Sequence, residues 1–181
     1  MSEPRAGAAP LIRKPFTELS TTELYGVLQL RSAVFVVEQS CVFLDLDGID
    51  TLPETVHAFI PQPTRAARDS HGAQSGVSLM PAAYARVLPL SFPDGPAGAP
   101  DARSIGRVVT DPEVRGTGTG LRLLGALVAV YGNAPLVMNA QSHLEGYYGR
   151  LGFVPNGPRF MEDGIEHTPL RREPGPEAPS S

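Results

Sequence analysis

Arg115-Gly116-Thr117-Gly118-Thr119-Gly120 stands between two segments of opposite character. Before it, Ile105-Gly106-Arg107-Val108-Val109 is a short β-branched run stopped by Asp111-Pro112, and it reads as a strand. After it, Leu121 to Tyr131 (LRLLGALVAVY) is rich in helix formers and apolar residues. A strand, a glycine turn led by an arginine, and then a helix make a cradle for an anion. The glycines let backbone N–H groups come close to a ligand, and the helix N-terminus adds partial positive charge. A ligand carrying phosphate is expected at this turn.

Three glycine-rich phosphate loops compete for the reading. A Walker A loop needs Lys-Ser/Thr after its last glycine, whereas Gly120 is followed by Leu121-Arg122. A dinucleotide fingerprint needs G-x-G-x-x-G and an acidic residue about 20 positions on, and Asn139-Ala140-Gln141 offers none. The third pattern, Arg/Gln-x-x-Gly-x-Gly/Ala, is the pyrophosphate loop of the GNAT superfamily of acetyl-CoA-dependent N-acyltransferases. Arg115 to Gly120 resembles it position for position. On these six residues alone, a turn that merely reverses the chain stays open as the alternative.

The rest of the chain resembles one branch of that superfamily, the bacterial ElaA-type acetyltransferases. The matching segments are Leu30 to Gln39 (LRSAVFVVEQ), Asp45 to Asp50 (DLDGID), Tyr84-Ala85-Arg86, Ile105 to Val109, Ala140 to Leu144 (AQSHL), Tyr148 to Phe153 (YGRLGF) and Glu162 to Ile165 (EDGI). They run in family order from near Phe16 to near Arg171. The glycine loop belongs to the whole superfamily, while VFVVEQ and EDGI are narrower. Two departures stand out. Glu166 replaces the proline expected before His167, and Tyr131 to Pro135 looks short.

Composition sets the frame for this resemblance. With 181 residues, 41% of them hydrophobic and 19% charged, the chain is expected to be one globular domain over 11–172, with loose tails at 1–10 and 173–181. A formal net charge of −4 argues against a nucleic-acid surface. No apolar run approaches membrane-spanning length, and the N-terminus lacks a targeting pattern, so no membrane partner and a cytoplasmic location are expected. Cys41 is the single cysteine; beside Val42 and Phe43 it reads as a small buried residue, not a nucleophile.

Along the chain, strands are expected at Leu11 to Phe16, Val56 to Ile60, Ala83 to Leu88, Ser104 to Val109, Leu136 to Ala140, Val154 to Phe160 and His167 to Arg171. Ser20-Thr21-Thr22-Glu23 is a capping box with a helix behind it, and Val34 to Glu38 fits helix or strand. A further helix is expected from Leu144 to Leu151, and loops at Pro61 to Pro81 and Ser91 to Arg103. The order implies an α/β (α+β) chain with a central twisted mixed sheet and helices on both faces, in agreement with the GNAT acyl-CoA N-acyltransferase fold that the resemblance implies.

The resemblance also implies a cosubstrate, acetyl-CoA, and an amine acceptor, either a small molecule or a peptide. The loop Arg115, Gly116, Thr117, Gly118, Thr119 and Gly120 would hold the diphosphate, and Val108, Val109 and Thr110 would offer backbone groups to the pantetheine arm and the thioester carbonyl. Asn139, at the end of its strand, is a further candidate for the arm, with local capping as the alternative. Tyr148 occupies the place where these enzymes carry a tyrosine near the cofactor sulfur. A phenol with a pKa near 10 suits a general acid, with core packing as the alternative. For the base, Glu38 and His143 have suitable chemistry; the competing roles are an ion pair for Glu38 and a helix cap for His143. Asp45, Asp47 and Asp50 break the EF-hand order and read as a turn that lends negative charge to the acceptor side. His57, His71, His143 and His167 lack metal-ligand spacing, so no metal is expected.

Two functions follow. The first is an N-acetyltransferase working by direct transfer in a ternary complex, as a monomer or homodimer. The second is a non-catalytic acyl-CoA-binding sensor or interaction module that keeps the cleft without an effective base.

Overall fold

The computed structural model describes residues 9–68, 71 and 73–175. Of the expected tails, 1–8 and 176–181 lie outside the described residues. Strand β1 (Ile12–Pro15) leads into helix α1 (Thr21–Arg31). The capping box forms as its sequence implies: the Ser20 hydroxyl accepts from the Glu23 N–H, and the Glu23 carboxylate accepts from the Ser20 N–H. α1 runs on into a π-helical segment, Ser32–Glu38, which settles the ambiguous VFVV run as helical. Strands β2 (Val56–Ile60), β3 (Arg65–Arg68), β4 (Gln74–Ser78), β5 (Ala83–Leu90) and β6 (Arg103–Thr110) follow. Helix α2 (Thr119–Tyr131), strand β7 (Leu136–Gln141) and the short helix α3 (Glu145–Gly149) come next. Strands β8 (Val154–Pro155), β9 (Phe160–Glu162) and β10 (Ile165–Arg172) complete the chain.

The main sheet has the order β1-β2-β5-β6-β7-β10-β8, with β9 paired to β10. Every neighbouring pair is antiparallel except β6 and β7, which α2 joins by a crossover. Alternation along β2 and β5 sends side chains to two cores. Ala58, Ile60, Ala83, Ala85 and Val87 meet Leu123, Leu124 and Leu127 of α2. Phe59 and Tyr84 meet Val27 and Leu30 of α1 on the other face. Fully burying each such leucine contributes about 1.5–3 kcal/mol.

Two expectations need correction. Residues 61–81 contain the β3–β4 hairpin and are not plain loop. RAAR and QSGVS show no clear apolar alternation because the hairpin lies largely exposed, so the strand signal is absent. The strand expected at Val154 to Phe160 is split into β8 and β9, with Pro155 and Pro158 in the stretch that carries them.

α1's face of the sheet also carries a closed ring of charge. Arg31 bonds Asp45 and Asp50, Arg86 bonds Asp50 and Asp47, and Arg107 bonds Asp47 and Asp45, at 2.7–3.2 Å. The three aspartates were expected to lend negative charge to the acceptor side. Instead, three guanidinium groups neutralise them and pin the 45–50 turn to the sheet. His57 lies beside the ring, with Nε2–H donating to the Asp50 carbonyl and Nδ1 accepting from the Tyr84 hydroxyl, each at 3.0 Å. Burial holds its pKa below the usual histidine value, so the ring stays neutral.

Candidate functional site

The site originates in a strand that leaves its neighbour. β6 pairs with β7 only at Arg103–Leu136 and Ser104–Val137, and beyond that point the two strands diverge. The cause is local. Arg107 has φ 50°, and the β5–β6 register slips between Tyr84 and Arg86, so β6 carries a bulge there. The β7-facing edge of β6 from Ile105 to Thr110 is thereby freed from the ladder.

One cavity, of about 490 Å³, opens where β6 runs into the glycine loop. Val108, Val109 and Thr110 form its strand wall, and Arg115, Gly116, Gly118, Thr119 and Gly120 its loop wall. Gly118 is the N-cap of α2 with φ 82°, a left-handed conformation that side chains disfavour, and no side chain caps the helix. A Cβ on Gly120 would lie 2.5 Å from the Tyr147 hydroxyl and 2.9 Å from Thr110 Oγ1. A Cβ on Gly116 or Gly118 would meet nothing within 4 Å, so the loop backbone ahead of α2 is bare there. Thr117 turns inward to the loop, its hydroxyl donating to the Val114 carbonyl at 2.7 Å.

The loop is held from below. Asp111, fully buried, accepts from the Glu113 N–H at 3.1 Å, from Gln62 at 2.6 Å, and pairs with Arg65 of β3 at 2.6 Å. Burial pushes its pKa up, but Arg65 and Gln62 outweigh burial and hold it below the usual carboxylate value. Asp111-Pro112 served in the sequence only as a strand stop. Its role as an anchor depends on Gln62 and Arg65, far away along the chain.

Arg115 forms a two-pronged pair with Glu38, at 2.8 and 2.9 Å, and its Nε donates to the Thr110 carbonyl at 3.3 Å. Glu38 thus occupies the ion-pair role that the sequence left open. His143 lies in the one-turn segment Ser142–Leu144 ahead of α3, and no side chain caps either that segment or α3. The capping role weighed for His143 is not the one it plays. Both residues line the loop cavity.

A second cavity, of about 420 Å³, lies along the same divergence, lined by Ile105 to Val108 of β6 and Met138 to Gln141 of β7. Its lip is Phe35, Phe43 and Leu44, with the two rings edge to face at 5.9 Å and Arg107 over the Phe43 ring at 4.9 Å. Asn139, the candidate for the cofactor arm, lines this cavity and not the loop cavity. Its Nδ2 donates to the Asp94 carbonyl at 3.2 Å, and its buried Oδ1 has no partner. His167, Glu162 and Asp163 line the same cavity. Glu166, which stands in place of the expected proline, pairs with Arg159 at the surface and leaves the β10 register intact. Cys41 is buried at the lip. Burial, followed by the charge of Asp163, raises its thiol pKa and disfavours the nucleophilic thiolate.

The cavities share Gln39, Val108, Gln141, Leu144 and Tyr148. Tyr148 is buried against Tyr147 and Phe153, with ring centroids at 5.2 and 6.5 Å. Burial raises its pKa well above that of an ordinary phenol, so the proton stays on oxygen at neutral pH. Both volumes fall in the range of ligand pockets, so each is large enough for a reactant of its own.

A mixed sheet with one diverging parallel pair, and a glycine loop at the divergence, define the acyl-CoA N-acyltransferase class of fold. Residues 54–174 match the family described as the acetyltransferase (GNAT) domain, and the chain belongs to that family. It is 35% identical over 155 residues to a UPF0039 protein of Mycobacterium tuberculosis, covering 86% of this chain and 87% of that protein. Protein ElaA of Escherichia coli is 33% identical over 161 residues, 87% of this chain and 92% of ElaA, and its crystal structure aligns with a TM-score of 0.72 over 91% of this chain and 99% of that one. An acyl-CoA N-acyltransferase from Pseudomonas aeruginosa, 34% identical, aligns with a TM-score of 0.69 over 91% of this chain and 99% of that one.

Proposed function

We propose that the chain is an acetyl-CoA-dependent N-acetyltransferase that passes the acetyl group directly to a primary amine within a ternary complex. The observation that supports this most is the meeting of two cavities at one buried phenol, Tyr148. The glycine loop fits a coenzyme A diphosphate, because a Cβ on Gly116 or Gly118 would meet nothing within 4 Å and the loop backbone there is open to a ligand.

In this reading acetyl-CoA is the cosubstrate and supplies an activated thioester. The amides from Gly116 to Gly120 and the Arg115 guanidinium hold the diphosphate, and Glu38 aims the guanidinium. The freed edge of β6 at Val108, Val109 and Thr110 receives the pantetheine arm as an added strand would be received. The N–H of Val109 or a neighbour polarises the thioester carbonyl. Tyr148, protonated and buried, gives its proton to the departing thiolate. The raised pKa of Cys41 favours direct transfer over an acyl-enzyme route.

Thiol release from acetyl-CoA over a panel of primary amines tests this. Turnover that collapses in Tyr148→Phe is the expected result. Saturable coenzyme A binding without turnover on any amine would favour the sensor reading instead.

A further inference from the structure

We infer that His167 is the general base of the transfer and that Asn139 holds the acceptor amine beside it. This inference rests on the transferase reading above. The β7–β10 register sets the two residues together: His167 faces Gln141, and Pro169 faces Asn139. Residues directly opposite in an antiparallel pair share a face, and so do residues two apart on one strand. His167 and Asn139 are therefore diagonal neighbours on one face, and both line the second cavity. Such diagonals separate Cβ atoms by roughly 7 Å, which leaves room for a nitrogen about 3 Å from each side-chain tip.

Each residue presents an unused acceptor. A carbonyl only accepts, so His167 Nδ1 carries the hydrogen that bonds the Ile165 carbonyl at 3.0 Å. Nε2 is left with a lone pair and no protein partner among the described residues. The ring is held by stacking on Phe160, centroids 5.8 Å apart at 29°. By the same logic, Asn139 Nδ2 faces the Asp94 carbonyl, and its buried Oδ1 has no partner among the described residues. A primary amine has two N–H groups to give, one to each acceptor.

The other ionisable groups on the cavity are committed elsewhere or poorly placed. Arg86 and Arg107 are held by the aspartate ring, and Asp94 accepts from Ser104. Cys41 and Tyr148 keep their protons. Glu162 and Asp163 are exposed at the tip of the β9–β10 hairpin. In the step, the amine nitrogen bonds the acyl carbon, the C–S bond breaks, and the N–H proton passes to Nε2. The thiolate takes the Tyr148 proton, and transfer from His167 to the phenolate through water restores both groups.

The test compares wild type with His167→Gln on an amine that the wild type acetylates. The expected result is a kcat about 100-fold or more lower, with coenzyme A affinity within about twofold by calorimetry. The acidic limb of the wild-type kcat/KM profile disappears in the variant. Should the glutamine variant fail to bind coenzyme A, Asn139→Ala carries the test, with amine KM raised about tenfold and the acidic limb kept. Turnover in His167→Gln within about fivefold of wild type, or an acidic limb that survives, overturns the base assignment and leaves the transferase reading standing. An amine KM unchanged in Asn139→Ala overturns the holding role. A wild type that binds coenzyme A and acetylates no amine overturns the transferase reading, and this inference with it.

Discussion

The two cavities along the β6–β7 divergence are built by different means. The loop cavity takes two of its walls from consecutive residues whose backbone is open: the freed strand edge at Val108 to Thr110 and the glycine loop, where a Cβ on Gly116 or Gly118 would meet nothing within 4 Å. The second cavity is built from side chains drawn from separate segments, with Phe35 and Phe43 as its lip and Asn139 and His167 on its strands. A backbone cradle suits a cosubstrate common to a family, whereas a side-chain cavity can change its acceptor one residue at a time. Tyr148, which touches both, is where the two meet.

The largest effect that sharpens this contrast belongs to Tyr148→Phe. Its kcat should fall about 10²–10⁴-fold, while coenzyme A affinity stays within about twofold, as the proposed grip through loop amides requires. Steady-state kinetics and calorimetry read the two quantities separately. A fall in affinity alone would place the phenol in the cradle and break the division.

Arg31→Ala should come next, as a loss of stability. It removes one corner of the buried ring and leaves Asp45 and Asp50 each short of a partner. Urea unfolding should show a loss of about 3–5 kcal/mol, the usual cost of leaving buried charge unpaired. Gly120→Val follows. Its branched side chain would collide with Tyr147 and Thr110, and coenzyme A affinity should drop about 100-fold, or ~2.7 kcal/mol, by calorimetry.

Glu38→Gln should do little. The pair with Arg115 is exposed, so the stability loss should stay below about 1 kcal/mol. The KM for acetyl-CoA should rise a few-fold, with kcat within about twofold; a hundredfold fall in kcat would make Glu38 the base after all. The pH dependence is the mildest effect. His57 has its pKa lowered in the fold, chiefly by burial. The unfolded chain thus binds more protons below about pH 6.5, and stability should decline as pH falls through that value. Asp47 adds to the decline at lower pH: burial raises its pKa, but hydrogen bonds and charge from Arg86 and Arg107 outweigh burial and lower it. Thermal midpoints that rise on acidification would contradict both assignments.

The contrast also explains what the sequence could reveal. The loop was legible because its parts lie within six consecutive residues and because backbone needs dictate glycine there. The strands of the main sheet were legible from β-branched runs, and α1 from its capping box. The second cavity was not, because its residues come together only through pairing. Asn139 was noticed as a candidate for the cofactor arm, and His167 was set aside for lack of metal spacing. One signal did point to His167. Asp163-Gly164, both residues at positive φ, is a two-residue hairpin turn whose register sets Phe160 against His167. The charged ring was hidden for the same reason, since Arg31, Arg86 and Arg107 stand far from one another in the chain.

A crystal structure of the chain with coenzyme A bound would test the central claim most directly. It should show the diphosphate within hydrogen-bond reach of the Gly116 to Gly120 amides, the arm along Val108 to Thr110, and the sulfur beside Tyr148. A diphosphate seated away from the loop, or a sulfur pointing away from the second cavity, would contradict it.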